Sequence, residues 1–163
     1  MKKIILFLML FASVNLAQNV EMTSERILPY GELHDPSTVI ATATAGYYTL
    51  TGWTGGNSYL TTLDTDSTIQ VLKRGAYLLS FSMSFTHSIG NTVVHISAFN
   101  SDGAEYTNIE TERKIGTAGD YGNVGGVGII FLEAGEKVSV RAKADKSGNL
   151  TVNHGNFNIV RMK

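Results

Sequence analysis

The sequence predicts an all-β protein that folds as a single antiparallel β-sandwich. From residue 38 onward, short runs rich in valine, isoleucine, threonine, tyrosine and phenylalanine alternate with glycine, asparagine, aspartate and serine. Apolar runs separated by such turn residues are typical of sandwiches and barrels. Beyond residue 17, no segment carries a sustained helical period, and no internal repeat or linker divides the chain.

The composition excludes several classes of protein. The 163 residues fit one domain, which at this length buries roughly two-thirds of its unfolded surface. An apolar content of 43% is too high for a disordered chain. A formal net charge of −1 argues against nucleic-acid binding through phosphate neutralisation. The absence of cysteine excludes disulfides, thiolate metal ligands and a cysteine nucleophile.

The first 17 residues have the pattern of a secretory signal peptide. Lys2 and Lys3 precede an apolar run that is well short of the ~20 residues needed to span a membrane. Cleavage after Ala17 would leave Gln18 at the N-terminus, and the mature protein would be secreted or held at the cell surface. The alternative is an apolar arm that is kept and docks into an assembly such as a virion. Neither interpretation includes a membrane span.

Residues 18–37 are predicted to form an entry arm, because they contain Pro29, Gly31 and Pro36, and residues 38–163 the sandwich. Within the sandwich, residues 79–85 alternate apolar and serine side chains, which is the pattern of a half-buried strand.

The remaining strands are predicted from the same signals. Residues 93–99 form a strand that ends in a hairpin turn at 100–103, where an Asp-Gly pair supplies positive φ. Residues 124–132 and 137–144 form a pair around a turn at 133–136. Residues 149–152 and 157–162 form the last two strands. The glycine-rich stretch 116–128 is a loop that leads into a strand; it precedes no helix, which argues against phosphate binding.

Three of these strands carry a family resemblance. Residues 75–82, Gly-Ala-Tyr-Leu-Leu-Ser-Phe-Ser, resemble the Gly-x-Tyr-x-x-Ser-Phe strand of C1q/TNF-like jelly rolls. Residues 126–140 resemble the later strand pair of that family, and residues 157–160 resemble its closing strand. The resemblance spans residues 38–163 and is closest to bacterial and phage members, which cap fibres or decorate surfaces. It implies a jelly-roll topology and a homotrimer.

An aromatic cluster is the first candidate for a binding site. Tyr47, Tyr48, Trp53 and Tyr59 lie close together in sequence. They fit three roles: core residues, contacts between subunits, or a platform for a ligand. As a platform they would stack against sugar rings, which makes a secreted carbohydrate-binding module, with a surface glycan as partner, the alternative function.

A calcium site is the second candidate. Asp64 and Asp66, with the hydroxyls of Thr65 and Ser67, place four oxygen ligands within four residues, and hard cations prefer oxygen. The alternative is a polar turn before a strand at 68–72. No other cofactor is expected. Some C1q-like trimers bind calcium near their apex, so the resemblance is compatible with a metal.

The sequence offers little evidence for catalysis. Ser84, His87 and Asp102 have the residue types of a hydrolytic triad, but no Gly-x-Ser-x-Gly elbow accompanies them. A glycan hydrolase would need two acids facing one cleft. The candidates are Glu105, Glu110, Glu112 and Glu133.

The sequence therefore favours a non-catalytic, trimeric attachment or assembly module displayed on a surface. It would be either a virion fibre or decoration protein, or a secreted bacterial surface protein. Its partners would be further copies of itself and a glycan or protein of the virion or cell surface. Nucleic acid is not expected as a partner.

Overall fold

The computed structural model describes residues 27–42 and 46–162. Within these ranges the chain forms twelve strands and one 3₁₀ turn, η1. The elements are β1 (Tyr30–His34), β2 (Thr38–Thr42), β3 (Tyr48–Thr49), β4 (Thr54–Tyr59), β5 (Thr61–Asp64), β6 (Thr68–Val71), β7 (Gly75–His87), β8 (Thr92–Asn100), η1 (Thr107–Ile109), β9 (Thr111–Ile115), β10 (Tyr121–Leu132), β11 (Lys137–Ala144) and β12 (Gly148–Arg161).

The strands form two antiparallel sheets of six strands each. Sheet A has the order β10-β7-β12-β1-β4, and β2 also pairs with β12. Sheet B has the order β5-β6-β11-β8-β9, and β3 also pairs with β11. The two sheets enclose one apolar core, so the predicted antiparallel β-sandwich of jelly-roll type is confirmed.

The central strand of sheet A shows how the sequence pattern specifies the two faces. In β7, Leu79, Phe81, Met83 and Phe85 are buried. The residues between them point away from sheet B and are more exposed. The predicted half-buried strand is therefore confirmed. The largest fully buried side chains of the core are Tyr77, Phe85, Phe157, Leu33, Leu50, Ile69, Leu79, Ile96, Ile109, Ile115, Leu132 and Leu150.

Two glycines of β10 allow close packing at the edge of the sandwich. A Cβ atom added at Gly126 would lie 2.6 Å from Phe81 Cζ and 2.8 Å from the Ile109 carbonyl oxygen. A Cβ atom at Gly128 would lie 2.7 Å from Ile109 Cγ1. These positions lack side chains because η1 closes over the inner side of the strand.

The predicted pairing of residues 124–132 with 137–144 is wrong. β10 pairs with β7 in sheet A, whereas β11 pairs with β3, β6 and β8 in sheet B. The turn between them, with Gly135 at φ +93°, bonds to β6: Gly135 N–H donates to the Val71 carbonyl (2.8 Å), and Val71 N–H donates to the Glu136 carbonyl (3.0 Å). The turn therefore carries the chain from one sheet to the other.

Three other boundaries differ from the prediction. The last two predicted strands are one long strand, β12, whose register shifts between Val152 and His154. The glycine-rich stretch is a strand from Tyr121 onward. β1 lies between β12 and β4 in sheet A, so the sandwich begins within the segment predicted as an entry arm. Leu33 of β1 is fully buried, so the segment before residue 38 contributes to the core of the sandwich.

The signal-like segment, residues 1–17, lies outside the described residues and remains a prediction. The part of the chain that the structure describes contains no helix long and apolar enough to cross a membrane.

Candidate functional site

The face of sheet A that points away from sheet B carries a continuous row of apolar side chains. The register aligns Ile129 of β10 with Leu78 of β7, and Leu78 with Val160 of β12. Val160 aligns with Tyr30 of β1, which aligns with Tyr59 of β4. The Tyr30 and Tyr59 rings lie 6.5 Å apart. One apolar residue from each of five adjacent strands therefore lies on the same line.

Further apolar residues flank this row. Phe131 aligns with Ala76, and Met162 N–H donates to the Ala76 carbonyl at 2.7 Å. Val127 lies on the other side of the row. We call this set the apolar half of sheet A: it comprises Tyr30, Tyr59, Leu78, Val127, Ile129, Phe131, Val160 and Met162.

The apolar half is uncovered within the described residues. Val127 is 64% exposed, and Ile129 and Phe131 are each 57% exposed. Monomeric soluble proteins seldom leave adjacent large apolar side chains in water, and such patches mark interaction surfaces. At its edge the Arg74 guanidinium lies 5.5 Å from the Phe131 ring centroid and pairs with Glu133 at 3.6 Å.

This surface was missed in the sequence, although a signal for it exists. Residues 129–132 are four consecutive apolar residues, whereas a strand with one solvated face alternates. In β10, Ile130 and Leu132 point into the core, and Ile129 and Phe131 point outward. An uninterrupted apolar run in an edge strand indicates that both faces have partners.

The other end of the same face is polar. Moving along β7 from Leu78, the outward residues are Ser80, Ser82 and Ser84. Ser82 aligns with Asn156 of β12, and its hydroxyl donates to Asn156 Oδ1 at 3.3 Å. A concave site of about 430 Å³ lies here, which we call the polar pocket. Its lining residues are Asp35, Ser82, Met83, Ser84, Asn123, Val124, His154, Gly155 and Asn156.

Asp35 sits at the edge of the polar pocket between two histidines. Its Oδ2 lies 3.3 Å from His34 Nδ1, and its Oδ1 lies 3.6 Å from His154 Nδ1. The residue has φ +48°, a conformation that aspartate and asparagine tolerate better than most side chains. Its N–H donates to the Gly155 carbonyl at 2.8 Å, next to the register shift in β12. This backbone hydrogen bond fixes Asp35 next to β12 and so keeps its carboxylate at the edge of the pocket.

A second polar cluster covers the outer face of sheet B and is centred on Tyr47. The Tyr47 hydroxyl lies 2.6 Å from Glu110 Oε1 and 3.0 Å from Glu105 Oε1. The Lys143 ammonium lies 4.3 Å from the Tyr47 ring centroid and 3.6 Å from Glu110 Oε1. His95 Nδ1 approaches the same carboxylate at 3.1 Å.

The pKa values of this cluster follow from its contacts. Burial raises the pKa of the Tyr47 phenol, and its hydrogen bonds to Glu110 and Glu105 raise it further. The hydrogen bond from Tyr47 lowers the pKa of Glu110, and Lys143 and His95 lower it further, against the opposing effect of burial. Glu110 is thus held ionised. A carboxylic acid that donates a proton in glycoside hydrolysis must instead be protonated, which requires a raised pKa.

The four aromatic residues singled out in the sequence lie in different environments. Trp53 is buried, its Nε1–H donates to the Leu50 carbonyl at 2.9 Å, and its ring lies 6.2 Å from that of Phe157. Tyr48 in β3 packs partly against the core. Tyr47 packs edge-on against Phe99 at 4.8 Å, and Tyr59 belongs to the apolar half. They form no common stacking platform.

Asp64 and Asp66 form a turn between β5 and β6. Asp64 Oδ1 accepts from the Asp66 N–H at 3.1 Å, and the Asp64 carbonyl accepts from the Ser67 N–H at 3.0 Å. Within residues 27–42 and 46–162, no group of three or more histidine and acidic side chains is placed to hold a metal ion. The calcium hypothesis stays a prediction, and comparing the melting temperature with and without a chelator tests it.

The candidate triad is not assembled. Ser84 and His87 are three residues apart in β7, so alternation places them on opposite faces of sheet A. His87 is buried, with Nε2 3.1 Å from Thr42 Oγ1, and its Nδ1 accepts from the Ile89 N–H at 3.1 Å.

Comparison with solved structures finds the same fold in proteins of low sequence identity. Eiger TNF from S. frugiperda superimposes with a TM-score of 0.62 at 13% identity, over 85% of this chain and 94% of that one. Murine APRIL gives 0.60 at 15% identity, over 83% and 99%. The globular domain of the zebrafish complement 1qA protein gives 0.58 at 14% identity, over 83% and 98%. No family model and no curated protein matches the sequence.

Proposed function

We propose that this protein is a non-catalytic binding module that assembles into a homotrimer through the apolar half of sheet A and serves in attachment or surface assembly. The observation that carries the proposal is the apolar row of Ile129, Leu78, Val160, Tyr30 and Tyr59, which runs across five strands. In the single chain, Ile129, Val160 and Tyr59 are exposed, and Leu78 and Tyr30 are half-buried. A second copy of the chain is the occupant that the likeness to C1q/TNF-like domains supports.

The apolar row is wide enough to form the centre of an interface between subunits, although not the whole of it. Five strands spaced about 4.8 Å apart make the row about 19 Å wide. A stable interface buries roughly 800 Å² on each partner, which is more than this row supplies. The exposed side chains around it, including Phe131, Met162 and the Arg74–Glu133 pair, would form the rest. An apolar centre with charges at its rim is the usual anatomy of a protein interface.

Two features support a role without catalysis. The serine and histidine that would form a triad lie on opposite faces of β7. In the Tyr47 cluster, the hydrogen bond from the Tyr47 hydroxyl lowers the pKa of Glu110 and keeps that carboxylate ionised. We expect no hydrolysis of nitrophenyl glycosides by the purified protein. Turnover that is lost in Glu110→Gln would contradict this part of the proposal.

A charge placed in the apolar half tests the assembly directly. In Ile129→Asp a carboxylate replaces an outward side chain at the centre of the row, and burying an unpaired carboxylate is costly. We expect native mass spectrometry to give a trimer for the wild type and a monomer for this variant, with unchanged circular dichroism. Ile89→Asp, in the loop between β7 and β8, is the matched control and should remain a trimer. A monomeric or dimeric wild type would contradict the proposal.

The location of the protein is proposed to be extracellular, with a virion as the alternative. Sequencing the N-terminus of the native protein separates the two. Gln18 would support secretion followed by display on a cell surface, whereas Met1 would support assembly inside a cell and thus a virion fibre or decoration protein.

A further inference from the structure

We propose that the polar pocket on the outer face of sheet A binds a neutral saccharide. This proposal deepens the binding role proposed above. It rests on that role but not on the number of subunits. The pocket offers about 430 Å³, within the range of small-molecule sites.

The side chains around the pocket have the hydrogen-bonding character that sugar hydroxyls require. A sugar hydroxyl donates one hydrogen bond and accepts others. Asp35 supplies acceptors, Asn123 and Asn156 supply donors and acceptors, and Ser84 supplies both in one hydroxyl. Within the described residues, the Ser84 hydroxyl and the Asn123 amide make no side-chain hydrogen bond, so both are available to a ligand.

The charges around the pocket select against anionic ligands. Asp35 is the single carboxylate among the nine lining residues, and none of the nine is lysine or arginine. Recognition of phosphate, sulfate or a sugar acid depends on such cations, above all on arginine. The one histidine of the lining, His154, lies 3.6 Å from the Asp35 carboxylate, which would balance a positive charge on that ring. The lining holds no phenylalanine, tyrosine or tryptophan, and six of its nine residues are polar, so it suits a ligand that carries hydroxyl groups better than an apolar peptide side chain. A neutral saccharide is the ligand class that this lining favours.

The pocket and the apolar half occupy separate ends of one face. Ser84 lies six residues along β7 from Leu78, which corresponds to about 20 Å at about 3.4 Å per residue. A subunit seated on the apolar half would therefore bring the pockets of several copies together on one particle. Weak binding at each pocket would then be reinforced by multivalency.

Titration by nuclear magnetic resonance tests the proposal on the isotope-labelled full chain. The probes are a panel of neutral methyl glycosides and, for comparison, methyl glucuronide, each at about 10 mM because single-sugar affinities of this kind are expected in the millimolar range. We expect at least one neutral glycoside to shift the backbone amides of Asn123, Gly155 and Asn156. The glucuronide should bind at least tenfold more weakly.

Two variants with a matched control locate the site. Asp35→Asn keeps a residue that tolerates the positive φ, and Asn123→Ala removes an outward amide of β10. Each should weaken binding about tenfold, the effect of losing one hydrogen bond in a site of this kind. Asn149→Ala, exposed on β12 but outside the pocket, should bind like the wild type.

Three results would overturn the proposal: no shift with any neutral glycoside, shifts that persist in both pocket variants, or equal binding of the glucuronide. The molar mass of each variant is measured in the same samples. A trimer that binds no sugar would contradict the proposed saccharide site and leave the proposed homotrimer standing. A monomer that binds sugar would contradict the homotrimer and leave the saccharide site standing.

Discussion

Replacing Ile129 with alanine should weaken the trimer by an amount that can be worked out from the structure. The side chain loses three carbon groups, each worth about 0.8 kcal/mol on full burial. Since the residue is 57% exposed in the single chain, assembly can bury only that share, or about 1.4 kcal/mol per subunit. Three subunits together lose about 4 kcal/mol, which is about a thousandfold in the trimer dissociation constant.

The assay is a dilution series followed by sedimentation velocity. The midpoint concentration of a monomer–trimer equilibrium varies with the square root of its dissociation constant. The thousandfold change therefore moves the midpoint about 30-fold upward. Ile89→Ala is the control, because it is the same substitution at an exposed isoleucine of the loop between β7 and β8. Its midpoint should match that of the wild type.

The fold of the single chain should be nearly unaffected by Ile129→Ala, because the side chain faces outward and strand propensities differ by about 1 kcal/mol at most. Equal midpoints for Ile129→Ala and the wild type would refute the assignment of this face to assembly. An equal upward shift in Ile89→Ala would also refute it, since the effect would then not depend on the apolar half.

Three further predictions concern stability. Trp53→Ala should lower the free energy of unfolding, measured in urea, by about 3–5 kcal/mol, because the indole is buried against Phe157. A decrease of less than about 1 kcal/mol would show that Trp53 is not a core residue. Gly126→Ala should lower the free energy of unfolding by about 1–3 kcal/mol, because the added Cβ would meet Phe81 and a backbone carbonyl. The control Gly125→Ala, whose added Cβ has its nearest contact at 3.4 Å, should be neutral or stabilising. The reverse order would contradict the packing. The fold lowers the pKa of Glu110 relative to that of a glutamate in the unfolded chain. The ionised carboxylate therefore stabilises the folded protein fully at pH values above the unfolded-state pKa. This stabilisation is lost as the pH falls through the lower pKa of Glu110 in the folded protein. Glu110→Gln should therefore lower the free energy of unfolding at pH 7 by about 1 kcal/mol, and the difference should shrink as the pH falls below the ordinary range of a glutamate pKa. A difference independent of pH would contradict the assigned contacts.

The parts of the fold that depend on local pattern could be predicted from the sequence. The alternation in β7 fixes which of its residues enter the core, because side chains on a strand point to opposite faces in turn. The opposite orientations of His95 and its neighbours Val94 and Ile96 in β8 follow from the same rule.

The pairing of strands could not be predicted in the same way. The turn at 133–136 has the residues of a tight reversal, but its hydrogen bonds to β6 carry the chain into the other sheet. Turn chemistry specifies that the chain reverses and does not specify its next partner strand. For the same reason β1 was missed as a strand, since its partners β12 and β4 are distant in sequence.

The candidate site shows the same limit. Tyr47, Trp53 and Tyr59 are neighbours in sequence, yet one covers sheet B, one is buried, and one lies on the outer face of sheet A. The polar pocket is assembled from β7, β10, β12 and the residue after β1. No local motif marks such a site, because its residues meet only through the register of the sheet.

We propose above that further copies of this chain cover the apolar half of sheet A, and the mass of the native protein in solution tests this most directly. Light scattering across a dilution series gives the absolute molar mass of the native protein without a shape assumption. We expect three times the mass of a single chain at high concentration and a decrease toward the monomer only on strong dilution. A mass equal to one chain at every concentration would contradict it.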